Sequence, residues 1–447
     1  MLFFIIAFFL FFYVYIKRMI QDGFSRKIIL SFWAIWFISL TMSTFNPYGL
    51  YSVSDETYCI LMLNVAGFIL GFSAIKIERT VYQGQNAFRC YRFVNKFLVS
   101  KKYLFMLLIG IMLCGMILNK YFYELAYSTV SRTGAMAEVR EDLMSVDYIF
   151  YSFLGAPLFY SSNVILAYSL IYGRRLMRDL FIYLYILIFS LIGGGRTAFL
   201  VILIAVVFVL FMGGIKIKFR KFILPLLGCG FFVYVMMAYL TAFRQGLIEF
   251  SLENLVEGAS GLNENFVTYL TLPFRLFDYA LHKDYLSQVG GYHYGLISFD
   301  GINRYTRLFL RLFSIDIPAI TEKTTAMFQE MWIPVGKDII SNYAYTNTIY
   351  HYLDFGVIGV FCIPFTFSIF VRWIIKLFYK QGKVVGLCLI FYLYYVLIHS
   401  VFTWHINKLY SLGFIVLMTI FLYRKENKYE KYKLILNENK GSIRIGK

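Results

Sequence analysis

Apolar runs of about 20 residues, the length a helix needs to cross a hydrocarbon core, recur along the chain between short polar or basic connections. Eleven stand near residues 1–16, 28–45, 59–75, 103–118, 146–172, 180–195, 197–213, 222–243, 345–371, 384–403 and 408–423. The first has no basic stretch before it and no small-residue cleavage site after it, which predicts a retained span. The pattern predicts an all-α polytopic membrane protein. Residues 1–243 carry eight spans, 345–423 three more, and 424–447 form a basic tail. Between them, residues 244–344 make one connection of about a hundred residues, too polar to span and too apolar for a linker. Within it, 265–282 and 301–313 have the periodicity of amphipathic helices lying on or in an interface. Long ordered connections are usually functional, so the site is expected under this one.

Charge assigns the sides. The 447 residues carry 43 Lys+Arg against 25 Asp+Glu, a formal charge of +18. Only 15% of residues are charged and 60% are hydrophobic. Nucleic-acid binders are charge-rich, so this combination excludes that class. Aromatics at 20% suit a protein facing lipid and two interfaces. Lys17, Arg18, Arg26 and Lys27 follow the first run and place the N-terminus outside. Alternation then puts 30 Lys+Arg and six acidic residues inside, leaving 13 basic and 19 acidic residues outside. The predicted topology is N-out and C-in, with the long connection outside.

Several chemistries lack their motifs. The six cysteines (Cys59, Cys90, Cys114, Cys229, Cys362, Cys388) are scattered without a CxxC, against disulfide and zinc readings. There is no Walker loop, HExxH, GxSxG or Asp-x-Asp pair. No metal or cofactor is expected. Glu138, Glu141 and Asp142 read as a solvated acidic turn.

Arg, His and Asp are the remaining carriers of chemistry. Arg196 follows three glycines where an apolar span starts, and an Arg at a helix start suits a phosphate. Snorkelling to headgroups is the alternative. Arg244, at the end of the eighth span, and Arg275, among Phe274, Leu276 and Phe277, have the same two readings. Arg304, Arg307 and Arg311 fall within about 60° on one helix face, either gripping headgroups or holding a diphosphate. Asn347, His351 and Asp354, spaced i, i+4, i+7, share a face at the start of the ninth span. A His with a carboxylate has the parts of a base and its orienter, and a satisfied polar cluster is the alternative. His293 is the competing base.

Three patterns together resemble one family. Gly194-Gly195-Arg196-Thr197-Ala198 is similar to the small-small-Arg-Thr-Ala entry to a span in polysaccharide repeat-unit polymerases, the Wzy-type O-antigen and capsule enzymes. Gly290-Gly291-Tyr292-His293-Tyr294-Gly295 resembles their glycine-rich outer-loop segment, and Arg275 with Gly291 fits an Arg-x15-Gly spacing. Tyr345-Thr346 followed by Asp354-Phe355-Gly356-Val357-Ile358-Gly359 resembles the YT…DFGxxG stretch entering a late span. The family's Asn usually sits two residues before that Tyr, whereas here Asn342 is three before. The resemblance covers roughly residues 190–360.

It implies a GT-C-like, metal-independent glycosyltransferase of lipopolysaccharide or capsule biosynthesis in a bacterial inner membrane. Such an enzyme moves the growing glycan from undecaprenyl diphosphate onto a new lipid-linked repeat unit. Its partners are undecaprenyl-diphosphate-linked oligosaccharides, membrane lipids and a separate chain-length regulator, with no nucleic acid. The outer arginines would hold the diphosphate, and His351 or His293 would take the acceptor proton. O-antigen ligases share this plan and are the nearest alternative. A flippase for the same lipids would show internal repeats and short connections on both sides, which the chain lacks.

Overall fold

The computed structural model describes residues 1–77, 101–127, 151–172, 176–192, 196–212, 251–311, 313–315, 332–337, 339–341, 345–381 and 384–423, with isolated positions between 231 and 242. Almost all regular structure among them is helical. The helices are α1 (Leu2–Met19), α2 (Gly23–Ser43), α3 (Asp55–Ala74), α4 (Lys101–Tyr127), α5 (Ala156–Tyr172), α6 (Leu176–Ile192) and α7 (Arg196–Met212). The chain continues through α8 (Leu252–His282), the single turn α9 (Tyr285–Gln288), α10 (Asp300–Arg311), α11 (Asn347–Gln381), α12 (Val384–His399) and α13 (Leu409–Tyr423). Among the described residues, five stretches are helical, long and apolar enough to cross a membrane: α1, α2, α3, Ser152–Ile171 and Asn347–Tyr379.

The helices start where their sequences supply caps. Asp22 accepts from the Ser25 amide ahead of α2, and Ser54 from the Thr57 amide ahead of α3. On α1, Ile5, Phe9, Phe12 and Ile16 turn inward, leaving Phe3, Leu10, Phe11 and Val14 exposed, as a lipid-facing helix would. α12 is buried along almost its whole length and forms the middle of the bundle.

α3 and α11 make the closest pairing. Gly67 and Gly71 lie one turn apart on α3, against the Phe361 and Phe365 carbonyls of α11. A Cβ on Gly67 would come within 2.5 Å of the Phe361 oxygen, so only glycine permits this approach. At one end of the bundle, Arg372 of α11 donates to Asp22 at 2.6 Å and to the Ile75 carbonyl at 3.1 Å. The expected connection 372–383 is thus helical through Gln381. Arg372 is buried because the Asp22 carboxylate compensates its charge.

The opposite end carries the long connection. The expected interfacial segment 265–282 is the C-terminal part of one 31-residue helix, α8, with Leu270, Leu272, Phe274, Leu276 and Phe277 buried against the bundle. Asp278 of α8 accepts from the Ser54 amide and the Thr57 hydroxyl, clamping the start of α3. A two-residue hairpin, β1 (Ile333–Pro334) with antiparallel β2 (Ile340–Ser341), lies over the α2–α3 connection, where the Tyr51 amide donates to the Val335 carbonyl at 2.9 Å.

Candidate functional site

The site is organised by an interruption in α11. Phe355 leaves helical geometry at φ −145°, ψ 19°, and Gly356 takes φ 60°, ψ −149°. The Gly356 conformation belongs to a region essentially restricted to glycine. The two segments are not coaxial. A Cβ on Gly359 would collide with the His351 carbonyl. A straight helix would set residues eight apart at about 12 Å. The first segment, 347–354, therefore folds back beside the second.

The long connection is fastened to this reversal. The Leu353 and Asp354 carbonyls accept from the His293 and Tyr294 amides, each at 3.1 Å. The Asp354 carboxylate accepts from the Ile297 amide at 3.0 Å and the Ser298 amide at 2.7 Å. Gly290, Gly291, Gly295 and Tyr294 all have positive φ, so the loop turns tightly enough to present successive amides to one carboxylate. The open carbonyls of a helix end, which need donors, are here satisfied from another part of the chain.

His351 and Asp354 are both fully buried, and Ser298 stands between them. The Ser298 hydroxyl is 2.9 Å from His351 Nδ1, and its backbone amide donates to Asp354. Asn347 Nδ2 donates to His351 Nε2 at 3.1 Å and is paired reciprocally with Asn64 of α3 at 3.0 and 3.2 Å. An Nε2 that accepts leaves the ring proton on Nδ1, directed at Ser298. The Trp404 indole closes the cluster, lying edge-on to His351 and donating to the Ser298 carbonyl at 2.9 Å. The expected base–orienter contact is thus replaced: Ser298 stands between the two, its hydroxyl on His351 and its amide, with that of Ile297, on Asp354. Both nitrogens of His351 are taken within the protein. His293 is only half-buried and lies between the exposed Tyr292 and Tyr294.

The arginines divide into two kinds. Arg275 is buried and spends its five donors on the chain. Nε reaches the Tyr51 carbonyl at 2.7 Å, Nη1 reaches the Ser43 hydroxyl and Thr271 carbonyl, and Nη2 reaches the Ser43 carbonyl and Asn46 side chain. Burial pulls its pKa down to about 10, which leaves it cationic at neutral pH. With its fork filled, Arg275 holds the α2–α3 connection in this arrangement and has no donor to offer a diphosphate.

α10 is different. Ile302, Phe309 and Phe313 are exposed, and Arg307 is only 7% exposed. Arg304, Arg307 and Arg311 lie about 180° around the helix from those apolar side chains. Arg304 pairs with Asp300 at 2.5 Å. Gly301 packs at the Lys408 carbonyl and Tyr305 at Gly413, which seats α10 against the start of α13. The exposed side of α10 is thus apolar, and its arginine side turns toward the bundle, with Arg307 the most enclosed.

Arg196 opens α7, but its side chain lies outside the described residues, as do Gly194, Gly195, Arg244, Glu138, Glu141, Asp142, Cys90, Cys229 and the tail 424–447. Among the described residues, no three His, Cys, Asp or Glu side chains gather as metal ligands. Sequence reasoning missed Ser298, Trp404 and Asn64. Only Asn64, an amide inside an apolar run, carried a signal that could have found it. The chain matches no family model, and no curated protein or solved structure matches it.

Proposed function

We propose that the chain polymerises undecaprenyl-diphosphate-linked oligosaccharide repeat units at the outer face of a bacterial inner membrane, with eleven spans, the N-terminus outside and the C-terminus inside. One observation carries this reading. Two of the three segments that resemble repeat-unit polymerases, 290–295 and 354–359, are far apart in sequence yet hydrogen-bonded to each other at the reversal in α11. Interrupted helices are the usual means of presenting polar groups to a ligand within a membrane protein.

A hydroxyl of the new unit attacks the anomeric carbon of the growing chain, the carbon–oxygen bond to the diphosphate breaks, and undecaprenyl diphosphate departs. Its charge needs cations, and the inward face of α10, with Arg304, Arg307 and Arg311, supplies them together with Arg196 and Arg244. The proton from the attacking hydroxyl passes to a base. His293, half-buried on the loop that resembles the polymerases, is taken as that base, and His351, fully buried in the core, as its structural counterpart.

The test is the glycolipid profile of a deletion strain. Loss of a polymerase leaves single repeats on the lipid core. Long chains remaining on undecaprenyl diphosphate would instead identify a ligase, and repeats trapped on the inner leaflet a flippase.

A further inference from the structure

We propose that Ser298 is a positioning residue, holding the 290–298 loop, and His293 with it, on the reversal in α11. This assignment rests on the polymerase reading only for its effect on turnover. The structural part stands on three contacts. Ser298 is fully buried, its amide bonds Asp354, its hydroxyl meets His351 Nδ1, and its carbonyl takes the Trp404 indole proton. Ser298 thereby joins both polar side chains at the end of the first α11 segment to the connection after α12.

The loop needs such a hold. Tyr294 is kept at φ 52° while 74% exposed. A bulky side chain adopts that left-handed conformation only when its surroundings impose it. Gly290, Gly291 and Gly295 stand at φ 93°, 99° and 93°, and glycines leave the flanks free to choose other conformations. The amides of His293 and Tyr294 bond the α11 carbonyls, but their register is fixed a few residues further on, where Ser298 is locked. Removing its hydroxyl therefore loosens the loop while leaving the bundle below intact.

The experiment is hydrogen–deuterium exchange on the full chain in lipid nanodiscs, comparing wild type, Ser298→Ala and Ser298→Thr, with turnover measured on lipid-linked repeat units in the same preparations. Ser298→Ala should speed amide exchange across 290–299 about fivefold to tenfold, as loss of a buried hydrogen bond does. Exchange in α3 and α12 should be unchanged. Turnover should fall through kcat with KM held, and Ser298→Thr, which keeps the hydroxyl, should restore both. Unchanged exchange in 290–299 with Ser298→Ala overturns the positioning role, whatever the turnover. Faster exchange with undiminished turnover keeps Ser298 as the loop's holder and overturns the assignment of the reaction to this loop. A variant whose exchange rises throughout the bundle would make Ser298 a general packing residue and overturn the proposal. Asp354→Asn, which retains one acceptor for the same amides, provides a second, independent loosening of the loop with the same expected pattern.

Discussion

Arg372 and Asp22, 350 residues apart in sequence, meet at 2.6 Å with both side chains almost wholly enclosed. The pair joins the turn before α2 to the far part of α11, and Tyr379 adds its hydroxyl to the same carboxylate at 3.3 Å. Removing one partner strands a charge in a medium that solvates it poorly. Arg372→Ala or Asp22→Ala should each cost about 3–5 kcal/mol, whereas the double replacement Arg372→Met/Asp22→Leu should cost less than either. Thermal unfolding of the detergent-purified variants checks this order.

His293 and His351 should separate cleanly. His293→Gln should lower product formation by about 10²-fold or more, the usual contribution of a general base, while leaving the melting temperature unchanged. His351→Ala should lower the melting temperature, because it leaves one Asn347 amide N–H and the Ser298 hydroxyl without their imidazole partner in the core. In vitro turnover beside a melting curve distinguishes the two. Equal thermal stability of both variants would count against the division of roles.

The charged face of α10 should matter for transfer and its apolar face for membrane seating. Arg307→Ala and Arg311→Ala should each reduce turnover about 10²-fold if they stabilise the leaving diphosphate. Phe309→Asp should instead diminish the amount of protein recovered in the membrane. Arg196→Ala should abolish polymer while the folded protein remains in the membrane. Normal-length polymer from that variant would remove Arg196 from the site.

Gly356→Ala should destabilise by about 1–3 kcal/mol, the usual cost of a sparsely allowed backbone conformation. The residue must hold φ 60°, and its new methyl would meet the Tyr292 hydroxyl at 2.8 Å. A melting-temperature decrease matched by faster exchange in 290–299 is the expected result. Arg275→Lys should also destabilise, because an ammonium cannot reach the five acceptors that the guanidinium fork bridges.

What the sequence made legible was whatever repeats locally. Apolar runs long enough to cross a bilayer became α1, α2, α3 and α11, and the i, i+3, i+7 spacing of Arg304, Arg307 and Arg311 became one face of α10. Partnership was not legible. Arg275 and Arg372 are chemically suited to phosphate, and only the tertiary positions of Ser43, Asn46 and Asp22 show that these two are committed inside the chain. Asn347, His351 and Asp354 share a helical face as their spacing required, but a Ser carried in by a loop came between the last two. The extent of α8 was hidden for a different reason. Pro273 and the polar residues before it mark a boundary locally, and burial against α2 and α3 overrides it.

The folding-back of residues 347–354 also bears on biogenesis. Asn347 pairs with Asn64 in the middle of α3 and donates its amide to the Ser400 carbonyl, which follows α12. The segment is therefore a plug, and its socket is complete only after α12 has been made and threaded. A ribosome emits residues 290–354 well before the walls that receive them. The loop and the plug must wait, unpaired, and seat together as a late step of assembly. Truncation after α11 should consequently leave inserted helices without a formed site.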